Sequence, residues 1–316
     1  MWVGNYSSST IGEFLDESSF LTPAHEKASA WVGHAPFAFW IISALKPRTV
    51  VELGVHHGFS YLAFCQAVKR LLLNCVCSGI DTWQGDEHAG FYGTDVFDRL
   101  RDDHQPYEHF SRLIRSTFDA ALARFPDGSI DLLHIDGCHH YESVKHDFEA
   151  WKPKLSDRSV VLFHDTHEPA YGVSRFWNEL RKTYPHFQFE HAHGLGILGF
   201  GENLPVKARQ LFMTSDIPEI AISIRSIYQR LGQSLIDRQE IGRLEKVVQS
   251  YRSSASWRLT APLRYLMRLG RQALDVNTYR DVLASDGVRV LPHARTFPEA
   301  RTFPEAKTFP EVKSLA

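Results

Sequence analysis

Thr49-Val50-Val51-Glu52-Leu53-Gly54-Val55-His56-His57-Gly58-Phe59-Ser60 is the stretch that decides the fold. A β-rich run ends in a glycine, and a second glycine follows four residues on. From 60 to 73 an apolar face recurs at helical spacing. Gly54 permits a sharp turn and a close approach of backbone to a ligand. The helix after it presents free N–H groups at its N-terminus. Glu52, near the strand's end, is placed to meet a bound amine. Many α/β proteins contain a strand–glycine–helix turn, so this stretch alone names no ligand.

Working outward, four more strand candidates follow: 75–80 running into Asp81, 111–114, 130–135 running into Asp136, and 159–163 running into His164-Asp165. Helical segments at 118–125, 141–151 and 173–184 separate them, and runs at 187–190 and 197–200 read as a closing hairpin around Gly194-Leu195-Gly196. Strands alternating with helices predict an α/β fold, a mostly parallel seven-stranded sheet covered on both faces. Ligands of such sheets sit at the carboxyl ends of the strands, where glycine, aspartate and histidine gather here.

The remaining chain divides by pattern. Residues 1–46 read as an N-terminal helical lid, 47–203 as the α/β domain, 204–275 as a helical extension and 276–316 as a tail. In 219–250, Ile220, Ile224, Ile227, Tyr228, Leu231, Leu235 and Ile241 recur at helical spacing. That suits one amphipathic helix packed on the domain or a short coiled coil. The tail repeats a hexapeptide at 294–299, 300–305 and 306–311, with a proline in each. That pattern excludes a continuous helix and predicts disorder.

Bulk properties narrow the function classes. The chain has 316 residues, 43% of them hydrophobic, and a formal net charge of -2. This gives no global pull toward nucleic acid, and no nucleic-acid partner is expected. The four cysteines form no C-x-x-C pair or disulfide spacing. Reduced thiols in a cytoplasmic protein are expected. No basic and apolar leader pattern opens the sequence. The most apolar stretch, 35–45, is well short of the ~20 residues that span a bilayer and reads as a buried helix.

Asp81, ending the second strand, suits a ribose diol or a turn cap. The absence of G-x-G-x-x-G argues against a nicotinamide dinucleotide. Ile135-Asp136-Gly137-Cys138-His139-His140-Tyr141 and Phe163-His164-Asp165 end two strands that neighbour one another if the sheet is regular. Asp136, His139, His164 and Asp165 then converge. Two carboxylates with imidazole suit Mg²⁺ or Mn²⁺, with further histidine ligation favouring Mn²⁺, Fe²⁺ or Zn²⁺. A turn at Asp136-Gly137 and a helix cap at Asp165 are the structural alternatives. Asp147 is a candidate to orient a histidine or an ordinary surface acid. The Trp83 to Gly93 loop, rich in glycine and aromatics, is a candidate cover for a sugar, and His34 a candidate lid residue.

Val51-Glu52-Leu53-Gly54-(x3)-Gly58-(x)-Ser60 resembles the first motif of S-adenosylmethionine (SAM) methyltransferases. Asp136-Gly137-(x)-His139-(x)-Tyr141 with His164-Asp165 is similar to class I methyltransferases of the "methyltransferase 24" type, including the macrolide-sugar O-methyltransferases. The likeness covers roughly 30–200. It implies a Rossmann-like SAM-methyltransferase fold. It implies SAM against Glu52, Gly54, Gly58, Ser60, Asp81 and Asp119, a cation on Asp136, His164 and Asp165, and His139 as base. The acceptor it implies is a sugar hydroxyl in bacterial glycan or glycoside biosynthesis. A non-haem iron hydroxylase using the same histidines and acids, and a non-catalytic scaffold of a glycan-assembly complex, are the rival readings. Residues 256–264 resemble an element of bacterial surface-polysaccharide enzymes. With five arginines and no acid, 250–272 is expected to contact a glycosyltransferase or the inner face of the membrane. A homo-oligomer is also compatible.

Overall fold

The computed structural model describes residues 12–25, 27, 29–86, 90–91 and 93–271. The hexapeptide tail lies outside the described residues. The chain forms two compact units, 1–246 and 247–316.

In the first unit the strands are β1 (Thr49–Leu53), β2 (Val76–Asp81), β3 (Gly85–Asp86), β4 (Gly90–Phe91), β5 (Ser111–Arg115), β6 (Ile130–Ile135), β7 (Leu155–His164), β8 (His186–Phe189) and β9 (Leu195–Phe200). The helices are α1 (Ala35–Leu45), α2 (Phe59–Arg70), α3 (Asp95–His104), α4 (Phe118–Ala121), α5 (Tyr141–Trp151), α6 (Gly172–Leu180) and α7 (Val206–Met213), and α8 (Pro218–Ser253) begins in this unit and runs past residue 246. Seven strands make one sheet in the order β5-β2-β1-β6-β7-β9-β8. The first five are mutually parallel, and β9 runs antiparallel to β7 and β8. The predicted seven-stranded, mostly parallel Rossmann-like sheet and its closing hairpin are therefore present.

The sheet is covered on both faces because its central strands are apolar on both. On one face Val50, Leu132 and Leu162 meet Phe37, Trp40 and Phe64 of α1 and α2. On the other, Val51, Leu133 and Phe163 meet Phe148, Trp151, Phe176 and Trp177 of α5 and α6. Helix α1 is apolar all round and is buried at every position but Ser43. It packs inside the core against α2 and α7, so 35–45 is a structural helix and not part of a separate lid. At the N-terminal end of the strands, buried Asp131 accepts hydrogen bonds from the Arg48 backbone (2.8 Å), Arg48 Nε (3.0 Å) and Ser156 Oγ (2.7 Å). Its carboxylate is thereby satisfied within the fold.

Helix α8 buries Ala221, Ile224, Tyr228 and Gly232, one stripe at 3.6-residue spacing. Its first half is therefore an amphipathic helix packed on the domain, while Ile236, Ile241 and Leu244 beyond it are exposed. A side chain on Gly232 would lie 2.0 Å from the Gly33 carbonyl, so backbone meets backbone there. No helix among the described residues is long and apolar enough to cross a membrane.

Gly54 has φ 86°, and a Cβ there would lie 2.1 Å from the Asp136 carbonyl oxygen. The glycine is needed for the turn, as expected, and its backbone also closely approaches the end of β6 while bordering a cavity at the carboxyl ends of the strands. Gly54→Ala should lower stability by about 2 kcal/mol or more, read as a fall in melting temperature. On α5, Asp147 is almost fully buried beside Gly137, and burial pushes its carboxyl up to about 6. The folded chain holds that proton more tightly than the unfolded chain. Stability is therefore lost as pH rises from about 4 through 6. Asp147→Asn should stabilise the fold by about 1–3 kcal/mol at pH 7.5, with the gain vanishing near pH 4 in thermal melts.

Candidate active site

A cavity of about 550 Å³ opens at the carboxyl ends of β1, β2 and β6. Gly54, Gly58 and Ser60 border it from the β1–α2 turn, Asp81 from β2, and Asp136 and His139 from the loop after β6. Gly58, at φ 84°, caps α2 and turns the helix N-terminus toward the opening. Asp81 accepts hydrogen bonds from the N–H groups of Val55 and His56, both at 2.9 Å, and of Trp83 at 2.7 Å. It thus ties the β1–α2 turn to the end of β2. Of the roughly four lone-pair sites a carboxylate offers, these bonds take three. The turn-cap role is present, with Asp81 still bordering the cavity.

The register explains how the acids meet. Leu53 lies opposite Ile135, and Ile135 opposite Phe163, so the next residues, Asp136 and His164, emerge side by side. One ligand atom each from Asp136, His139 and Asp165 lies within 4.8 Å of the others. His139 Nε2 is 3.0 Å from Asp165 Oδ2, and its ring stacks on Tyr171 with centroids 4.5 Å apart. The Gly172 N–H donates to the His139 carbonyl (2.8 Å), which fixes that loop against α6. Asp165 sits at φ 61°, a left-handed backbone that aspartate tolerates.

His164, expected as a third ligand, touches both carboxylates from outside that trio. Its Nδ1 is 3.3 Å from both Asp136 Oδ1 and Asp165 Oδ2, and its Nε2 is 3.2 Å from the Ala192 carbonyl. Both ring nitrogens face acceptors, the arrangement an imidazolium satisfies. Burial would depress this imidazole, but Asp136 and then Asp165 override it and push it up to about 10. Burial likewise opposes ionisation of Asp136 and Asp165, and their histidine partners hold both below the usual carboxylate range. His139 is also raised: Asp165 outweighs the effect of burial.

Behind this cluster lies a buried pair of which the sequence reading singled out Glu52 but not His134. His134 and Glu52 are cross-strand neighbours on β6 and β1, both fully buried. Glu52 Oε2 is 3.1 Å from His134 Nδ1, and His134 Nε2 is 3.9 Å from Asp136 Oδ2. Burial pushes the Glu52 carboxyl up, opposed by His134. Trp31 closes the set edge-on, 4.7 Å from the His134 ring, and also borders the cavity. The available signal was the two-residue spacing of His134 and Asp136, which puts them on one face of a strand.

Several expected site residues lie elsewhere. Glu52 does not border the cavity; its Oε1 accepts from Ser60 Oγ at 2.7 Å within the core. Asp119 turns outward to His146 Nε2 at 2.9 Å, while its neighbours Thr117 and Phe118 border the cavity. Each acid follows its nearest partner, a hydroxyl or an imidazole. Trp83 is fully buried and donates its indole N–H to the His56 carbonyl (3.0 Å), so it offers no face to a sugar. Residues 87–89 and 92 of that loop lie outside the described residues. His34 is buried with its Nε2 3.2 Å from the Ala192 carbonyl, a core histidine.

Residues 51–166 match the family model described as "Methyltransferase domain". The chain is 53% identical over 178 residues, 56% of its own length, to the uncharacterized protein y4gI of Sinorhizobium fredii, and it spans a fifth of that relative's length. Among solved structures, the SAH-bound methyltransferase PaMTH1 of Podospora anserina is similar at 13% identity, with a TM-score of 0.42 over 54% of this chain and 78% of that one. The O-methyltransferase TomG of Streptomyces achromogenes, involved in tomaymycin synthesis and solved with SAM, is similar at 12% identity, with a TM-score of 0.41 over 58% and 94%. Likenesses this distant bear on neither substrate nor metal. The family match falls on the segment that supplies most of the cavity wall, from the turn after β1 to Asp136 after β6, and residues 51–166 carry a methyltransferase domain.

Proposed function

We propose that the domain transfers the methyl group of SAM to a sugar hydroxyl, with a divalent cation, Mg²⁺ or Mn²⁺, held at Asp136 and Asp165. The observation that carries this reading is the meeting of Asp136, His139 and Asp165 at the rim of the cavity. Two hard carboxylates, Asp136 and Asp165, fit such a cation, and the His139 imidazole stands beside them. A bound cation supplies Lewis acidity that lowers the pKa of a coordinated hydroxyl. The sulfonium of SAM is an activated donor, so much of the remaining work is positioning.

The chain's own residues divide that work. The turn from Gly54 to Gly58 and the remaining capacity of Asp81 hold the nucleoside side of SAM. His139 takes the acceptor's proton, its ring fixed by Asp165 on one edge and Tyr171 on one face. His164 sets the spacing of the two carboxylates from behind. The sugar acceptor and a role in glycan biosynthesis rest on the resemblance of Asp136-Gly137-(x)-His139-(x)-Tyr141 to the macrolide-sugar enzymes. The oxygenase alternative wants two imidazoles and one carboxylate. The converging set is the reverse, one imidazole and two carboxylates.

Isothermal titration should show SAM binding with and without Mg²⁺, and label from SAM should appear in a sugar acceptor only with the cation. Asp136→Ala should abolish that turnover and spare SAM binding; unchanged turnover would refute the metal role. His139→Ala should cost roughly 10²–10⁴-fold in turnover with cation affinity intact. Loss of cation affinity as well would make His139 a ligand instead of the base.

A further inference from the structure

The second compact unit carries a surface that the methyl-transfer reading leaves unused. Its described part contains α9 (Ala255–Leu259) and a further helical stretch at 261–271. Pro262 stands in the first turn of that stretch, where a missing N–H costs nothing. Arg264, Arg268 and Arg271 follow at i, i+4 and i+7 and share one side of the helix. Leu263, Leu266 and Gly270 follow at i, i+3 and i+7 on the opposite side. Leu263, Leu266 and Met267 are 57%, 63% and 62% exposed, and Leu259 is 80% exposed. Trp257 is exposed as well, and the Arg264 guanidinium lies 3.8 Å from its ring centroid. From 246 to 274 the sequence has six basic residues and no acid.

We infer that residues 254–271 bind the surface of an anionic lipid bilayer, lying in the interface with the leucines turned into the acyl boundary. Two independent features select this occupant. The arginine side has no acidic residue to neutralise it and therefore complements a negatively charged surface. The opposite side is aliphatic, which a lipid interior covers and a nucleic acid does not. The segment is broken at Thr260 into two short helical stretches and carries four arginines, so it lies on a bilayer instead of crossing it, and the binding is peripheral and reversible. Trp257, with one face under a guanidinium, has the amphipathic character of an interfacial anchor. The consequence is that acceptors presented at a membrane, such as lipid-linked glycans, are brought to the enzyme at high local concentration.

The test is co-sedimentation of the full chain with phosphatidylcholine vesicles, with and without 30% phosphatidylglycerol. Binding is expected to the anionic vesicles only and to weaken as salt is raised. Arg268→Ala with Arg271→Ala should weaken it about 25-fold, roughly fivefold per arginine near an anionic surface. Leu263→Asp with Leu266→Asp should weaken it at least as much. Circular dichroism melts of both variants should match wild type, since all four residues are exposed. The salt titration of the unaltered chain needs no variant. Equal binding to neutral vesicles, no binding to anionic ones, or full binding by both variants would overturn the inference. So would concentration-dependent self-association that Leu263→Asp abolishes while vesicle binding stays unchanged. Neither SAM affinity nor turnover enters the readout, so failure here and failure of the methyl-transfer reading are distinguishable.

Discussion

His164 stands 3.3 Å from two carboxylates at once, and the functional end of the sheet is organised around that contact. Asp136 and Asp165 issue from adjacent parallel strands. Without a cation between them, two nearby buried carboxylates would repel and drive each other toward protonation. The imidazolium of His164 removes that penalty, and its other nitrogen is turned to a backbone carbonyl. The two acids therefore stay ionised and close together, Asp136 bordering the cavity and Asp165 buried behind it. The ion pairs are worth less as net stability than as geometry, since burying the charges costs free energy that their attraction must offset.

The two ends of the strands show opposite solutions to one problem. At the N-terminal end Asp131 is buried, but Arg48 and Ser156 consume its oxygens, and the result is structural. At the carboxyl end Asp136 and Asp165 are paired with histidines, and Asp136 borders the cavity. Imidazole is a partner that can yield a proton or change partners near neutral pH, which a guanidinium cannot. The difference between Arg48 and His164 as counter-ions thus separates an end that stabilises from an end that can do chemistry. Glu52 and His134 extend the histidine-paired network into the core, with Trp31 sealing it from solvent.

The second unit obeys other rules. Its helices bury little of their own apolar surface, and their arginines and leucines are segregated by side rather than by depth. A surface that leaves leucines in water and gathers charge of one sign is organised for something outside the chain. The enzyme-like unit hides its unusual residues in a cleft; this one displays them.

Much of the fold was legible in the sequence. Strand runs ending in glycine or acid, separated by helical periodicity, determine a doubly covered parallel sheet, because period and apolar content leave few other solutions. The convergence of Asp136, His139 and Asp165 was legible for the same reason: strand ends of a regular sheet lie side by side. Side-chain direction was not legible, because it depends on which partner a polar atom finds. Glu52 was expected to face a ligand, but Ser60 and His134, eight and 82 positions away in the chain, hold it inside the core. Asp119 was claimed by His146, and Trp83 by the core. The division of labour between His139 and His164 was also left to tertiary structure, since β9 and the segment after β8 supply the carbonyl and the walls that turn one imidazole inward. Sequence determined which chemical groups reach the carboxyl edge; packing and the competition for hydrogen-bond partners decided which of them face the cleft.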